Sequence, residues 1–213
     1  MNFLFGIPYY KEKIDYTLFN KKKIIEDIEE NYKRSSYRSK WKYYDDMHHS
    51  FNDDNNSEFI KLDYSELIPL YNEHISIFLN EIPSLKKWEY TWSIQNYTAT
   101  TNNQCMESHH HLPSLFHAIH YLKFDPEKHQ PTIYKNSHDF SKYFTSIYPN
   151  IDTIFDLNNI KNSWMSEKYF LTTEEDDFII LPSAVFHEIR KSCSDSLRMT
   201  IVMNIEVDKS YIL

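Results

Sequence analysis

The hydrophobic period changes once along this 213-residue chain, near Pro83, and that change sets what it can fold into. Before it, apolar residues recur at helical spacing. Ile24, Ile25, Ile28 and Tyr32 do so over residues 20–33, behind an Asn20 suited to capping. Leu67, Ile68, Tyr71, Ile75, Phe78, Leu79 and Ile82 form one stripe over 65–82, with Pro69 confined to the first turn, where its missing N–H is harmless. After Pro83 the period is two: Trp88, Tyr90, Trp92 and Ile94 alternate with Glu89, Thr91, Ser93 and Gln95 in a half-buried strand running into Asn96 and Tyr97. More strands are expected near 105–111, 115–124, 132–135, 177–181 and 197–207, and a first one at the apolar N-terminus. Helices followed by a run of strands predict an α+β chain, mainly β, with a sandwich or barrel core and the helices packed outside. No repeat or linker interrupts it, so one domain is expected over 1–213, with 1–84 as helical support and 85–213 as the β core. Residues 35–58 read as an irregular connection. Residues 136–172 carry Tyr143, Phe144, Tyr148, Phe155 and Trp164 without clean periodicity, and a stretch of that length is expected to be an active-site lid.

Several function classes are excluded at this level. The chain has one glycine, Gly6, where average usage would give about 15. Neither a dinucleotide-binding fingerprint nor a phosphate-binding P-loop can be written with one. Turns must rely on Asn, Asp and Pro, as in Thr101-Asn102-Asn103, Phe124-Asp125-Pro126 and Glu175-Asp176-Asp177. The net charge of −8 argues against a nucleic-acid or anionic-membrane surface, and no apolar run reaches the 20 or so residues of a span. Cys105 and Cys193 make no disulfide scaffold, and the N-terminus lacks a basic n-region and is interrupted by Pro8. A cytoplasmic protein with reduced thiols is expected.

The chemistry concentrates in two places. Glu107, Ser108, His109, His110 and His111 run consecutively, and an extended chain there puts Glu107, His109 and His111 on one face. Imidazoles suit Fe, Zn, Cu or Ni. In the C-terminal third, the apolar run Asp177-Phe178-Ile179-Ile180-Leu181-Pro182 leads to His187, a distant histidine able to complete a site begun on another strand. Farther on, Leu197, Met199, Ile201, Met203 and Ile205 share one apolar face, so Arg198, Thr200 and Asn204 point the other way. A guanidinium fork beside a hydroxyl is a carboxylate-binding arrangement.

In this order, His-x-His, an apolar strand with Tyr121-Leu122, the Phe-Ile-Ile-Leu-Pro-Ser strand, His187 and Arg198-x-Thr200, the residues resemble the 2-oxoglutarate- and Fe(II)-dependent dioxygenases. The closer likeness is to a phage and bacterial branch with the pattern His-x-His…His…Arg-x-Ser/Thr. It covers about residues 88–207. It implies a double-stranded β-helix, a cupin-like jelly roll with the metal in its open mouth. It implies Fe(II) held by His109 and His187, and 2-oxoglutarate as co-substrate with Arg198 and Thr200 on its distal carboxylate. Tyr121 is implied to reach that carboxylate, and Tyr97 matches a tyrosine on the strand before the histidines. With O2, such an enzyme releases succinate and CO2 and hydroxylates a further substrate, here an unidentified small molecule or protein side chain. Two departures stand out. Where the superfamily has Asp or Glu two residues after the first His, this chain has His111, so His111, Glu107 or water is the third ligand. Leu112 precedes a proline that the branch has directly after the second His. The rival reading is a cupin-like protein that binds a metal or small ligand without redox turnover.

Overall fold

A computed structural model describes residues 2–4, 6–34, 47–50, 59–82, 89–102, 104–138, 142, 146, 147, 150, 153–192 and 194–207. In chain order the elements are β1 (Asn2–Leu4), β2 (Ile7–Lys13), α1 (Lys21–Arg34), β3 (His48–His49), α2 (Leu67–Glu81), β4 (Tyr90–Thr100), β5 (Met106–His109) and β6 (Phe116–Lys123). There follow β7 (Thr132–Lys135), a 3-10 helix (Ile160–Met165), β8 (Lys168–Phe170), β9 (Asp177–Pro182), β10 (His187–Ile189) and β11 (Arg198–Val207).

Both helices form where apolar spacing and capping coincide. Asn20 begins α1: its side-chain oxygen accepts from the Lys23 N–H at 3.2 Å, and its carbonyl accepts from Ile24. In α2, Leu67, Tyr71, Ile75, Phe78 and Leu79 are buried on one face, and Pro69 sits in the first turn as expected.

The strands form two antiparallel sheets. The larger has the order β1-β2-β9-β6-β11-β4-β3 and the smaller β5-β10-β7-β8. From β5 onward the chain passes from one sheet to the other and back, through β6, then β7 and β8, then β9, β10 and β11. That alternation between two facing sheets is a double-stranded β-helix. The segment before residue 84 is more than helical support, because β2 lies in the large sheet, its Tyr10 opposite Ile180 of β9.

Side-chain alternation divides the large sheet into two faces. Phe116, Ala118 and Leu122 of β6, Phe178 and Ile180 of β9, and Met199, Ile201, Met203 and Ile205 of β11 pack beneath Ile24, Ile28, Tyr71, Ile75 and Phe78 of the helices. Tyr71 stacks on Phe178 at 5.2 Å, and Phe78 meets Phe116 edge-on at 5.0 Å. The other face carries Ile119, Tyr121, Ile179 and Leu181 into a second apolar cluster with Tyr134 of the small sheet. The helices therefore seal one face and leave the intersheet space for a site.

The turn before β9 runs through Glu175-Asp176-Asp177. Asp176 adopts φ +66°, which, with Gly6 at +74°, makes up the left-handed positions among the described residues. The Asp176 carboxylate takes two contacts from Lys21 Nζ, at 2.6 and 2.7 Å, while its N–H donates to Tyr121 O. Among the described residues no helix is long and apolar enough to cross a membrane. Tyr143, Phe144, Tyr148, Cys193 and Trp88 lie outside the described residues. Of the expected lid, the described part includes the 3-10 helix and β8; the latter pairs with β7, and none of the lid's described residues lines the cavity discussed next.

Candidate functional site

Between the sheets lies a cavity of about 200 Å3, lined among others by His109, His111, His187, Thr132, Arg198 and Thr200. The small sheet brings two of the histidines together: β10 runs antiparallel to β5 with His187 directly opposite His109, and their ring centroids are 4.3 Å apart. His111 lies just past the end of β5. Its N–H donates to Ser183 O at 2.9 Å, which ties the turn after β5 to the turn between β9 and β10. One ligand atom from each of the three histidines falls within 4.8 Å of the others.

The hydrogen bonds of these rings suit a metal. His109 Nδ1 donates to Glu107 O at 2.8 Å and His187 Nδ1 to Val185 O at 3.1 Å. With the proton held on Nδ1, each Nε2 keeps its lone pair for coordination. His111 Nε2 and His187 Nε2 are 3.3 Å apart. At the usual metal–nitrogen length of about 2.1 Å that separation corresponds to an angle of roughly 105°, within reach of tetrahedral and of cis octahedral geometry. Burial and the neighbouring His109 and His110 push the His111 pKa down to about 4, against an opposing hydrogen bond with the Asn204 side chain. Burial also holds His187 well below the ordinary histidine range. Neutral imidazoles are what a divalent cation needs.

The same cavity is lined by Arg198, 2% exposed. Its Nη2 donates to Thr132 Oγ1 at 3.2 Å, and its guanidinium carbon lies 5.1 Å from the Tyr121 ring centre and 5.9 Å from that of Phe124. Nε and Nη1 have no partner, and no carboxylate pairs with this cation among the described residues. Two buried, unmatched guanidinium donors call for an anionic acceptor that presents two oxygens.

No protein-family model and no curated protein matches the sequence. Solved structures do. The chain aligns over 94% of its length with 92% of a prolyl-4-hydroxylase from Pseudomonas putida, at 7% identity and a TM-score of 0.54. It aligns over 95% with 80% of SnoK, a non-haem α-ketoglutarate-dependent carbocyclase of nogalamycin biosynthesis, at 13% identity and 0.56. Over 95% it also matches 84% of HygX from Streptomyces hygroscopicus, at 8% identity and 0.53. The fold is that of the 2-oxoglutarate/Fe(II) oxygenases. HygX itself was solved with nickel and 2-oxoglutarate bound.

Within this oxygenase fold the residues singled out from sequence divide into three groups. His109, His111, His187, Arg198 and Thr200 line one cavity. Thr200 Oγ1 is 2.6 Å from Thr98 Oγ1 on the neighbouring strand. Tyr121 is buried behind that wall and donates its hydroxyl proton to Thr132 Oγ1 at 2.6 Å. Tyr97 and Glu107 are not brought in. Tyr97 faces the helices, its hydroxyl 3.1 Å from both Asn31 Nδ2 and His48 Nε2. Glu107 lines an outer groove with Lys135 and Glu188. Of the two side chains weighed as third ligand, the fold therefore brings His111 to the histidine pair.

Both absences have one cause. Val202 pairs with Asn96 but Met203 with Ile94, so Gln95 is an extra residue in β4. His187 pairs with His109 but Ile189 with Met106, so Glu107 and Ser108 together oppose Glu188. Each bulge reverses the alternation on its far side. The first puts Tyr97 on the face of Trp92 and Ile94; the second turns Met106 inward and Glu107 outward.

Sequence reasoning passed over His117 and Thr132. His117 is fully buried, stacks on His111 at 4.5 Å and on His187 at 4.9 Å, and has no partner for either ring nitrogen. It shares a β6 face with Ile119 and Tyr121, so alternation from Tyr121 could have flagged it. Thr132 had no signal beyond being the first residue of a short strand. His120 and His129 are structural: His120 Nδ1 lies 2.7 Å from the Tyr71 hydroxyl, and His129 bonds the Asp125 N–H and Ser196.

Proposed function

We propose that this protein is a 2-oxoglutarate-dependent non-haem Fe(II) oxygenase that hydroxylates an organic substrate. The observation that supports it most is the pairing, in one cavity, of a convergent three-histidine cluster with a buried arginine whose two free donors lack an acceptor. A cupin-like protein that merely binds metal has no use for that arginine, whose burial without a counter-ion costs several kcal/mol unless an anion arrives.

In this reading His109, His111 and His187 hold Fe(II), and Arg198 with Thr200 anchors the distal carboxylate of 2-oxoglutarate. When bound, the iron supplies a chelation site for the oxo-acid end and the activation of O2. The overall reaction takes 2-oxoglutarate, O2 and R–H to succinate, CO2 and R–OH, one oxygen atom going to each of succinate and the hydroxyl group. The chain's own contribution is positional. The two backbone carbonyls at Glu107 and Val185 hold the ring tautomers, the Arg198 guanidinium fixes the far end of the co-substrate, and the apolar walls Ile119 and Val202 exclude water from the space between. The whole chain, 1–213, acts as one unit in this reading.

Succinate formation is the test. Purified protein given Fe(II), 2-oxoglutarate and air is expected to release succinate, slowly without a second substrate. Omission of iron or O2 stops it, as does His187→Ala. Absence of succinate in a protein that binds both metal and 2-oxoglutarate would overturn the oxygenase reading and favour the binding protein.

A further inference from the structure

The structure assigns Thr132 a direct role: we infer that its hydroxyl proton is a hydrogen-bond donor to the distal carboxylate of the oxo-diacid, and that Tyr121 acts on that carboxylate indirectly, through Thr132 and Arg198. The inference rests on the co-substrate reading given under Proposed function. It follows from counting donors and acceptors around one oxygen.

A threonine hydroxyl offers one donor and two acceptor positions. Both acceptor positions of Thr132 Oγ1 are taken, one by the Tyr121 hydroxyl at 2.6 Å and one by Arg198 Nη2 at 3.2 Å. Its own proton must therefore point along the remaining direction. No acceptor for it occurs among the described residues, and Thr132 lines the cavity that Arg198 and Thr200 also line, whereas Tyr121 does not. The side chain is 1% exposed, too buried for bulk water to satisfy that proton. Arg198 contributes two more buried, unmatched donors, Nε and Nη1. Three buried donors without an acceptor, on two residues that line one cavity, match the lone pairs of one carboxylate.

The same count gives Tyr121 its task. Its hydroxyl is engaged with Thr132, and its ring lies under the Arg198 guanidinium at 5.1 Å. It is a positioning residue: it fixes the Thr132 rotor, so that the threonine proton can only face the cavity, and it supports the guanidinium plane.

The test is anaerobic titration of the Fe(II)-loaded protein with 2-oxoglutarate, alongside Ni(II) binding to the metal-free protein. Thr132→Val keeps the shape of the strand residue and removes the hydroxyl. It is expected to weaken 2-oxoglutarate binding about ten- to hundredfold, the effect of losing a hydrogen bond to a charged group, with Ni(II) affinity unchanged. Thr132→Ser restores the hydroxyl and is expected to bind within about threefold of wild type. Tyr121→Phe keeps Thr132 but frees its rotor, and is expected to lose a few-fold to about tenfold. Wild-type affinity in Thr132→Val would overturn the inference, as would equal losses in the Val and Ser variants, which mark a packing role. If Arg198→Ala also binds 2-oxoglutarate like wild type, the co-substrate reading itself fails; loss in Arg198→Ala with none in Thr132→Val defeats only the threonine.

Discussion

Arg198→Met is expected to lower 2-oxoglutarate affinity by a hundredfold to several thousandfold while leaving the ligand-free protein at least as stable as wild type. The two halves of that result come from one fact. In the ligand-free protein the guanidinium is buried, donates to Thr132 through Nη2, and has Nε and Nη1 unmatched. Burial pulls its pKa below the ordinary arginine value, and only tyrosines, Tyr121 and Tyr134, oppose that shift; no carboxylate does. Burying a charge without a counter-ion costs several kcal/mol, and removing one partner of a buried pair typically loses about 3–5 kcal/mol of interaction. Methionine fills a similar volume against Tyr121 and Phe124 with no polar atom to desolvate. The stability cost therefore vanishes together with the binding. Urea unfolding without ligand and calorimetric titration with 2-oxoglutarate read the two effects separately. A variant that unfolds several kcal/mol more easily without ligand would mean that Arg198 is there for the fold.

The metal-free protein is expected to lose stability steeply as the pH falls from 7 to 5. His111 is pushed down to about 4 in the folded chain, and His117 and His187 well below their ordinary value, each chiefly by burial. In the unfolded chain all three titrate near 6.5. The unfolded state thus binds more protons below about pH 6.5, and stability rises with pH wherever that holds. The contribution is fully present above 6.5 and is lost as the pH drops toward the folded-state values. For His111 alone the loss between pH 7 and pH 5 is roughly 2 kcal/mol, and His117 and His187 add to it in the same direction. Carboxylates titrate mostly below this window, so histidines dominate it. The urea midpoint should fall across this range, and His117→Leu, which places an apolar side chain where an unpartnered imidazole is buried, should flatten the fall. A midpoint constant from pH 7 to pH 5 would contradict the burial of these rings as neutral groups.

How far the sequence carried depended on how many residues each signal spans. The helices at Lys21–Arg34 and Leu67–Glu81 and the longer strands were legible because several turns or several alternations repeat the same message. The contrast of Arg198 and Thr200 with their apolar neighbours was legible for the same reason, since β11 alternates without a break from Arg198 to Ile205. His48–His49 and His187–Ile189 are too short to show a period. The bulges left no mark at all: nothing about Gln95, or about Glu107 and Ser108, distinguishes an inserted strand residue from a paired one. Pairing with the partner strand decides it, and each slip reverses a face. Glu107 was placed by unbroken alternation and lost for that reason; Tyr97 was placed by resemblance, and the bulge at Gln95 turns it to the other face. Thr132 was invisible for a different cause, because its place in the site follows from two donors that reach it from other strands.

The turns show how a chain with one glycine closes so many strands. Asp176 takes the left-handed position in one of the turns expected to rely on Asn, Asp and Pro. Its carboxylate has a partner in Lys21, at the start of α1, that an asparagine could not pair with as an ion. The turn is thereby fastened to the helical layer.

The central claim is that one cavity holds Fe(II) on three histidines and 2-oxoglutarate on Arg198. The most direct measurement is the visible absorption of the anaerobic protein titrated first with Fe(II) and then with 2-oxoglutarate. Chelation of the oxo-acid by iron is predicted to give a weak metal-to-ligand charge-transfer band in wild type. The band should be lost in His109→Ala and His187→Ala, and in Arg198→Met should require far more 2-oxoglutarate. No band in metal-loaded wild type, or a band that saturates at the same 2-oxoglutarate concentration in Arg198→Met, would contradict it.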